Sequence, residues 1–113
     1  MKQHRPIEMS VEQAASTFAA LGSEQRLAVL KALVRAGPEG LSIGELGARS
    51  GVTGSTLTHH MKILTAAGLA EQVRRGRQVI CVAAAYETMT ALSAYLLSEC
   101  CADAPDAKAH DHD

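Results

Sequence analysis

Residues 52–82, VTGSTLTHHMKILTAAGLAEQVRRGRQVICV, carry two patterns in succession: an amphipathic helix and then a basic hairpin. Run as a helix from Thr53, Leu57, Met61 and Leu64 fall at i, i+4 and i+7 and form one inward apolar stripe. Ser55, Thr58, His59 and Lys62 fall at i, i+3, i+4 and i+7 on the opposite side. No carboxylate occurs between Thr53 and Gly68. A solvated surface helix ordinarily mixes signs, so a donor-rich face without acids suits an anion. Docked in a DNA major groove, Lys62 can read guanine and the hydroxyls can reach phosphates or bases. The candidate contacts from this helix are Thr53, Gly54, Ser55, Thr56, Thr58, His59 and Lys62. His60 lies beside the apolar stripe and reads as a packed or capping histidine instead.

The hairpin follows as two short strands, about Ala70–Arg74 and Gln78–Ala83, joined across Arg75-Gly76-Arg77. Glycine at the tip supplies the positive φ a tight hairpin needs. Arg74, Arg75 and Arg77 suit a phosphate backbone or a narrow minor groove. A hairpin tip that is merely solvated also carries charge. Three arginines within four residues, with no acid between them, favour DNA.

The overall charge of −1 conceals a strong asymmetry. The first 22 residues balance. Residues 23–80 hold eight basic and four acidic side chains (+4), and residues 81–113 hold one lysine against six acids (−5). Because phosphate contacts supply most non-specific affinity for DNA, the basic middle matters more than the net figure. The 113 residues suit one domain. Apolar residues are mostly Ala, Leu and Val with few aromatics, which favours packed helices over a β-sandwich and leaves a thin core, as in domains that dimerise. No apolar run approaches the roughly 20 residues that span a bilayer. With no leader segment ahead of the fold, the expectation is a cytoplasmic protein without a membrane partner.

Upstream, residues 1–9 read as a flexible arm. Ser10 and Gln13 form a capping box that opens a first helix through about Leu21, closed by Gly22. Ser23 caps a second helix whose expected buried stripe is Leu27, Leu30, Leu33 and Val34, stopped at Gly37-Pro38. Ser42 and Glu45 form another capping box for a short third helix to Ser50, with Ile43 and Leu46 inward. Gly51 then makes the turn, and Thr53 caps the fourth helix, which runs to Gly68. After the hairpin a last helix is expected from about Tyr86 to Cys101, with Met89, Leu92 and Leu96 at i, i+3 and i+7. Residues 102–113, ADAPDAKAHDHD, read as a disordered tail. The order α-α-α-α-β-β-α is a winged helix-turn-helix, mainly α with a small β-hairpin wing, over residues 10–101.

Three cysteines in a reducing compartment read as ligands, sensors or core residues before disulfide partners. Cys81, on the second strand, can be a small core hydrophobe. Cys100 and Cys101 are harder to place in a core. Adjacent thiols form a disulfide only with strain, but both can reach one soft, thiophilic centre. The third ligand is open between Cys81, a cysteine of another subunit and an exogenous group. His110 and His112 flank Asp111 in the tail, where weak metal binding competes with plain solvation. No phosphate loop, His-Glu zinc helix or nucleophile elbow occurs, so no enzymatic role is expected.

From about Phe18 to Cys101 the chain resembles the ArsR/SmtB family of winged-helix metalloregulatory repressors. The segments that carry the likeness are ALGSEQRLAVLKAL, LSIGELGARSGVTGSTLTHHMKILTAAGLAE and RRGRQVICV. The resemblance implies a homodimer built through the first and last helices, with Met89, Leu92 and Leu96 at the interface. It implies binding to double-stranded operator DNA without any cofactor, and release when an inducer binds. Residues 42–50 contain no cysteine and residues 86–99 neither Asp nor His, so two known sensor sites of the family are not carried over. The ending SECC is similar to an arsenic-responsive subgroup with vicinal cysteines at the end of the last helix. That likeness implies Cys100 and Cys101 as the site for arsenite, a methylated trivalent arsenical or antimonite. Arsenite prefers three sulfurs, whereas a methylated arsenical needs two. A thiol-redox or persulfide-sensing repressor of the same fold, and a thiol-based metalloid-binding protein, are the alternatives.

Overall fold

The computed structural model describes residues 8–105. Five helices and three strands follow in order: α1 (Val11–Leu21), α2 (Glu24–Ala36), β1 (Leu41–Ser42), α3 (Ile43–Ser50), α4 (Gly54–Ala66), β2 (Ala70–Arg75), β3 (Gln78–Ala83) and α5 (Ala85–Leu97), with a 3-10 turn over Gly37–Glu39 between α2 and β1. The winged helix-turn-helix expected from the sequence is present.

Local chemistry accounts for the helix boundaries. In both capping boxes the orphan amides at the helix start are satisfied reciprocally. The Gln13 amide donates to Ser10 Oγ (3.1 Å) and the Ser10 amide to Gln13 Oε1 (2.9 Å). The Glu45 amide donates to Ser42 Oγ (3.2 Å) and the Ser42 amide to Glu45 Oε1 (2.9 Å). The bond from the Ser42 amide holds the Glu45 carboxyl below its ordinary range. Thr53 stands at the N-cap of α4, but its side chain makes no capping bond. The far end of α4 closes earlier than the expected Gly68. Gly68, at φ 76°, donates to the Thr65 carbonyl (3.0 Å) and Leu69 donates to the Leu64 carbonyl (2.9 Å). That is the Schellman arrangement, with the accompanying apolar contact supplied by Leu64 and Leu69, both fully buried.

The core lies where α2, α3 and α4 meet the inner face of the sheet. Val29, Leu33, Leu46, Met61, Leu64, Leu69 and Cys81 are its largest fully buried side chains. The expected stripe of α4 is buried throughout. Within α2, Leu30 and Leu33 are buried but Leu27 and Val34 are exposed. Those two sit seven residues apart on one flank, while Val29 and Ala32 complete the inward face. Ile43, also expected inward, is exposed at the first position of α3.

The sheet has three strands, not two, in the order β1-β3-β2, all antiparallel. Leu41 pairs with Cys81 and Ser42 with Ile80, so the residues that open α3 are tied to the wing. Gly40 makes the approach possible. Its φ is 70°, and a Cβ built there would lie 2.5 Å from the Cys81 carbonyl oxygen and 2.6 Å from Ile80 Cγ2.

The last helix stops at Leu97, not at Cys101. Successive turns continue the chain: the Cys100 amide donates to the Leu97 carbonyl, Ala102 to Glu99 and Ala104 to Cys101, each at 3.0 Å. Within α5, Leu92 is 2% exposed, packed inside the protomer, whereas Met89 (37%) and Leu96 (63%) are open. Of the three residues expected at an interface, Met89 and Leu96 are thus the open ones in the single chain, and Leu92 lies at the inner margin of their face. Tyr86, Tyr95 and Leu97 are exposed on the same helix and Phe18 on α1. Residues 1–7 of the expected arm, and residues 106–113 of the expected tail with His110 and His112, lie outside the described residues. No helix among the described residues is long and apolar enough to cross a membrane.

Candidate nucleic-acid face and thiol pair

Helices α3 and α4 meet across the turn at Gly51 and Val52. Gly47 lets them approach: a Cβ there would lie 3.2 Å from Thr53 Cγ2. Val52 and Leu57 are buried at the crossing. With that face turned in, Thr53, Gly54, Ser55, Thr56, Thr58, His59 and Lys62 are all exposed. The structure thus gathers every helical DNA candidate on the solvent side of α4. The Thr58 hydroxyl donates back to the Gly54 carbonyl (3.4 Å), and its oxygen remains an acceptor.

The wing stands beside this helix. A cleft of about 790 Å³ separates them, lined by Ser42, Ile43, Lys62, Gln72 and Val79, with Met61 and Cys81 at its base. Arg74, Arg75 and Arg77 are exposed on the wing, but they are not equivalent. Arg75 folds back, its Nη1 donating to the Glu39 carbonyl (2.7 Å) and its Nη2 to the Pro38 carbonyl (3.0 Å). It pins the wing to the turn after α2, which leaves Arg74 and Arg77 as the outward cations.

His60 faces inward, as its place beside the stripe suggested. Its Nδ1 lies 3.2 Å from Arg26 Nη1 and its Nε2 lies 3.1 Å from Gln25 Oε1. Burial first, and then the charges of Arg26 and His59, push its pKa below the ordinary 6.5. These α2 partners are 34 and 35 residues away, and no sequence spacing marks them.

The thiols divide into two environments. Cys81 is fully buried, and burial pushes its pKa up against a smaller opposing effect from Gln72. Cys100 is exposed and Cys101 half-buried, with their sulfurs 3.5 Å apart. Cys101 takes a left-handed φ of 65°, uncommon for a residue other than glycine. Burial, then the neighbouring Cys100, raise the Cys101 pKa. Among the described residues no group of three His, Cys, Asp or Glu side chains could hold a metal ion. Cys81 stands apart from that pair, fully buried on β3.

A buried helix-turn-helix crossing, an exposed acid-free second helix and a basic wing define a winged helix-turn-helix of the transcription-regulator type. Residues 21–73 match the family model described as a helix-turn-helix domain. Over 55 residues the chain is 42% identical to the uncharacterized HTH-type transcriptional regulator YceK of Bacillus subtilis (strain 168), a stretch covering 49% of this chain and 54% of that protein. The chain thus spans about half the length of that curated relative. Among solved structures it is similar to an ArsR-like transcriptional regulator from Rhodococcus sp. RHA1, at 32% identity and a TM-score of 0.66, covering 81% of this chain and 82% of that one. It is also similar to the transcriptional repressor BigR from Xylella fastidiosa, at 25% identity and a TM-score of 0.57, covering 80% and 88%. The chain belongs to the ArsR family of transcriptional regulators.

Proposed function

We propose that this chain is a dimeric, cytoplasmic repressor that binds palindromic operator DNA and releases it when a trivalent arsenical or antimonite is captured by Cys100 and Cys101. The observation that carries the DNA half is the exposed, carboxylate-free face of α4 beside Arg74 and Arg77. In a two-fold dimer the two α4 helices enter successive major grooves about 34 Å apart, with the wings on flanking phosphates. The open apolar side chains Phe18, Tyr86, Met89, Tyr95 and Leu96 of α1 and α5 support dimerisation through those helices.

The sensor half rests on the two sulfurs 3.5 Å apart in the turns that follow α5. Thiolates select soft centres over oxygen-loving cations. With Cys81 enclosed, each protomer offers a two-sulfur site, which suits a methylated trivalent arsenical better than arsenite. Capture at the end of the dimer helix shifts the dimer toward a geometry that misplaces the recognition helices, a coupling typically worth about 1–3 kcal/mol.

The test is operator release, titrated separately with methylarsenite, arsenite and antimonite on wild type, Cys81→Ser, Cys100→Ser and Cys101→Ser. Cys100→Ser and Cys101→Ser should bind operator and fail to release it, while Cys81→Ser should respond like wild type. Normal release by Cys100→Ser would sink the sensor assignment. A redox or persulfide sensor would instead gain oxygen or sulfur at these two residues under peroxide or polysulfide, which mass spectrometry reads directly.

A further inference from the structure

One guanidinium joins three helices. Arg26 begins on α2, where its own amide is fixed by Ser23 Oγ (3.2 Å). Its Nε donates to the Ala20 carbonyl (2.7 Å) and its Nη2 to the Ala19 carbonyl (3.3 Å), both in the last turn of α1. Its Nη1 reaches His60 on α4 at 3.2 Å. A guanidinium only donates, so His60 Nδ1 accepts, the ring proton is on Nε2, and that N–H donates to Gln25 Oε1 at 3.1 Å. The carbonyls at the end of α1 have no partners within their own helix beyond the cap, so Arg26 is a structural terminator of α1 and a partner of α4 at once.

This arrangement sets something that apolar packing leaves loose. The stripe of Leu57, Met61 and Leu64 holds α4 against the core, but apolar contact is non-directional and tolerates small rotations about the helix axis. Hydrogen bonds to a ring only 7% exposed are directional and fix that rotation. His60 lies one residue from His59 and two from Lys62, so turning the ring's end of the helix re-aims the exposed face. We propose that Arg26 and His60 are positioning residues, a joint through which the seating of α1 sets the rotation of the recognition helix α4. The inference rests on the DNA reading above, and it goes beyond it by assigning a role to residues that touch no DNA.

The experiment uses the full chain and duplexes it selects from a random-sequence pool, with a scrambled duplex as the non-specific probe. Anisotropy titrations compare wild type with Gln25→Ala, His60→Leu and His60→Gln. His60→Leu keeps the volume and loses both bonds, and should lower affinity for the selected duplex about tenfold. Gln25→Ala, at an exposed position, should lower it about threefold. Both should leave scrambled-duplex affinity unchanged, because every phosphate-facing cation is retained. His60→Gln should return to within about twofold of wild type, since its amide oxygen accepts from Arg26 and its amide N–H donates to Gln25. Should His60→Leu fail to melt cooperatively, the contrast between Gln25→Ala and His60→Gln decides alone. Wild-type affinity in both Gln25→Ala and His60→Leu would overturn the joint, as would equal losses on selected and scrambled DNA, or a His60→Gln no better than His60→Leu. A wild-type chain that prefers no sequence would overturn the DNA reading first, and is distinguishable from all of these.

Discussion

Gly40→Ala tests how the wing is attached to the body. Gly37 opens the 3-10 turn and Gly40 follows it, and the two share one unusual backbone conformation, φ 73° and ψ −160° against φ 70° and ψ −172°. That region is essentially restricted to glycine, and forcing another residue into it costs about 1–3 kcal/mol. The surroundings differ completely. A Cβ at Gly37 meets nothing within 4 Å, whereas at Gly40 it meets the Cys81 carbonyl oxygen at 2.5 Å, Ile80 Cγ2 at 2.6 Å and Val82 Cγ2 at 3.0 Å. The first of these is backbone in the middle of the sheet and cannot rotate away. Gly37→Ala should therefore cost the strain alone. Gly40→Ala should cost the strain plus an overpacking cost of about 1–3 kcal/mol, and it should disrupt the Leu41–Cys81 pairing. For a domain of this size each kcal/mol lowers the melting temperature by about 4–8 °C. Thermal unfolding of the two variants at one protein concentration reads the difference, with Gly40→Ala expected at least about 4 °C below Gly37→Ala. Coincident melts would show that β1 does not press on β3 as described.

Lys62→Ala should weaken DNA binding and reduce the slope of log affinity against log salt by about 1.8, the loss of one cation at the DNA from each protomer of the dimer; an unchanged slope would remove Lys62 from the interface. Arg75→Ala should behave otherwise, lowering stability by about 1 kcal/mol through loss of its two carbonyl bonds while leaving the salt slope intact, and a fallen slope would make Arg75 a DNA contact instead of a clamp. Because burial and Arg26 keep the His60 pKa below 6.5 in the folded chain, the unfolded chain binds a proton more readily beneath that value. The stability His60 contributes is complete above pH 6.5 and is lost as pH falls through its depressed folded pKa. Urea midpoints at pH 7.5 and 5.5 should differ more for wild type than for His60→Gln, and equal differences would contradict the assigned environment. Glu45, held below the carboxylate range, loses its contribution only in more acidic solution, outside that window.

Much of this architecture was readable residue by residue. The two capping boxes at Ser10 and Ser42, the acid-free face of α4 and the Gly76 hairpin are local, and local patterns survive folding because they concern neighbours three or four residues apart. β1 escaped notice because two residues are too few to show an alternating period, and its partner lies 38–40 residues away in β3. The burial of Leu92 inside the protomer is not legible in the spacing, because a helical period gives a face but not which neighbour covers it. The end of α5 was placed too late because the Cys-Cys segment carries no proline or glycine to stop it, and the chain turns there through a left-handed Cys101.

The sequence by itself determined the order of the elements, the acid-free chemistry of the exposed α4 face and the presence of an adjacent thiol pair, since all three follow from short-range spacing. Tertiary structure decided which cationic and thiol groups are available. Packing against distant backbone turned Arg75 into a clamp on Pro38 and Glu39, enclosed Cys81 away from Cys100 and Cys101, and bound His60 to Arg26. Hydrogen bonds and burial across more than 30 residues depend on how elements meet in space, and no one-dimensional period records that.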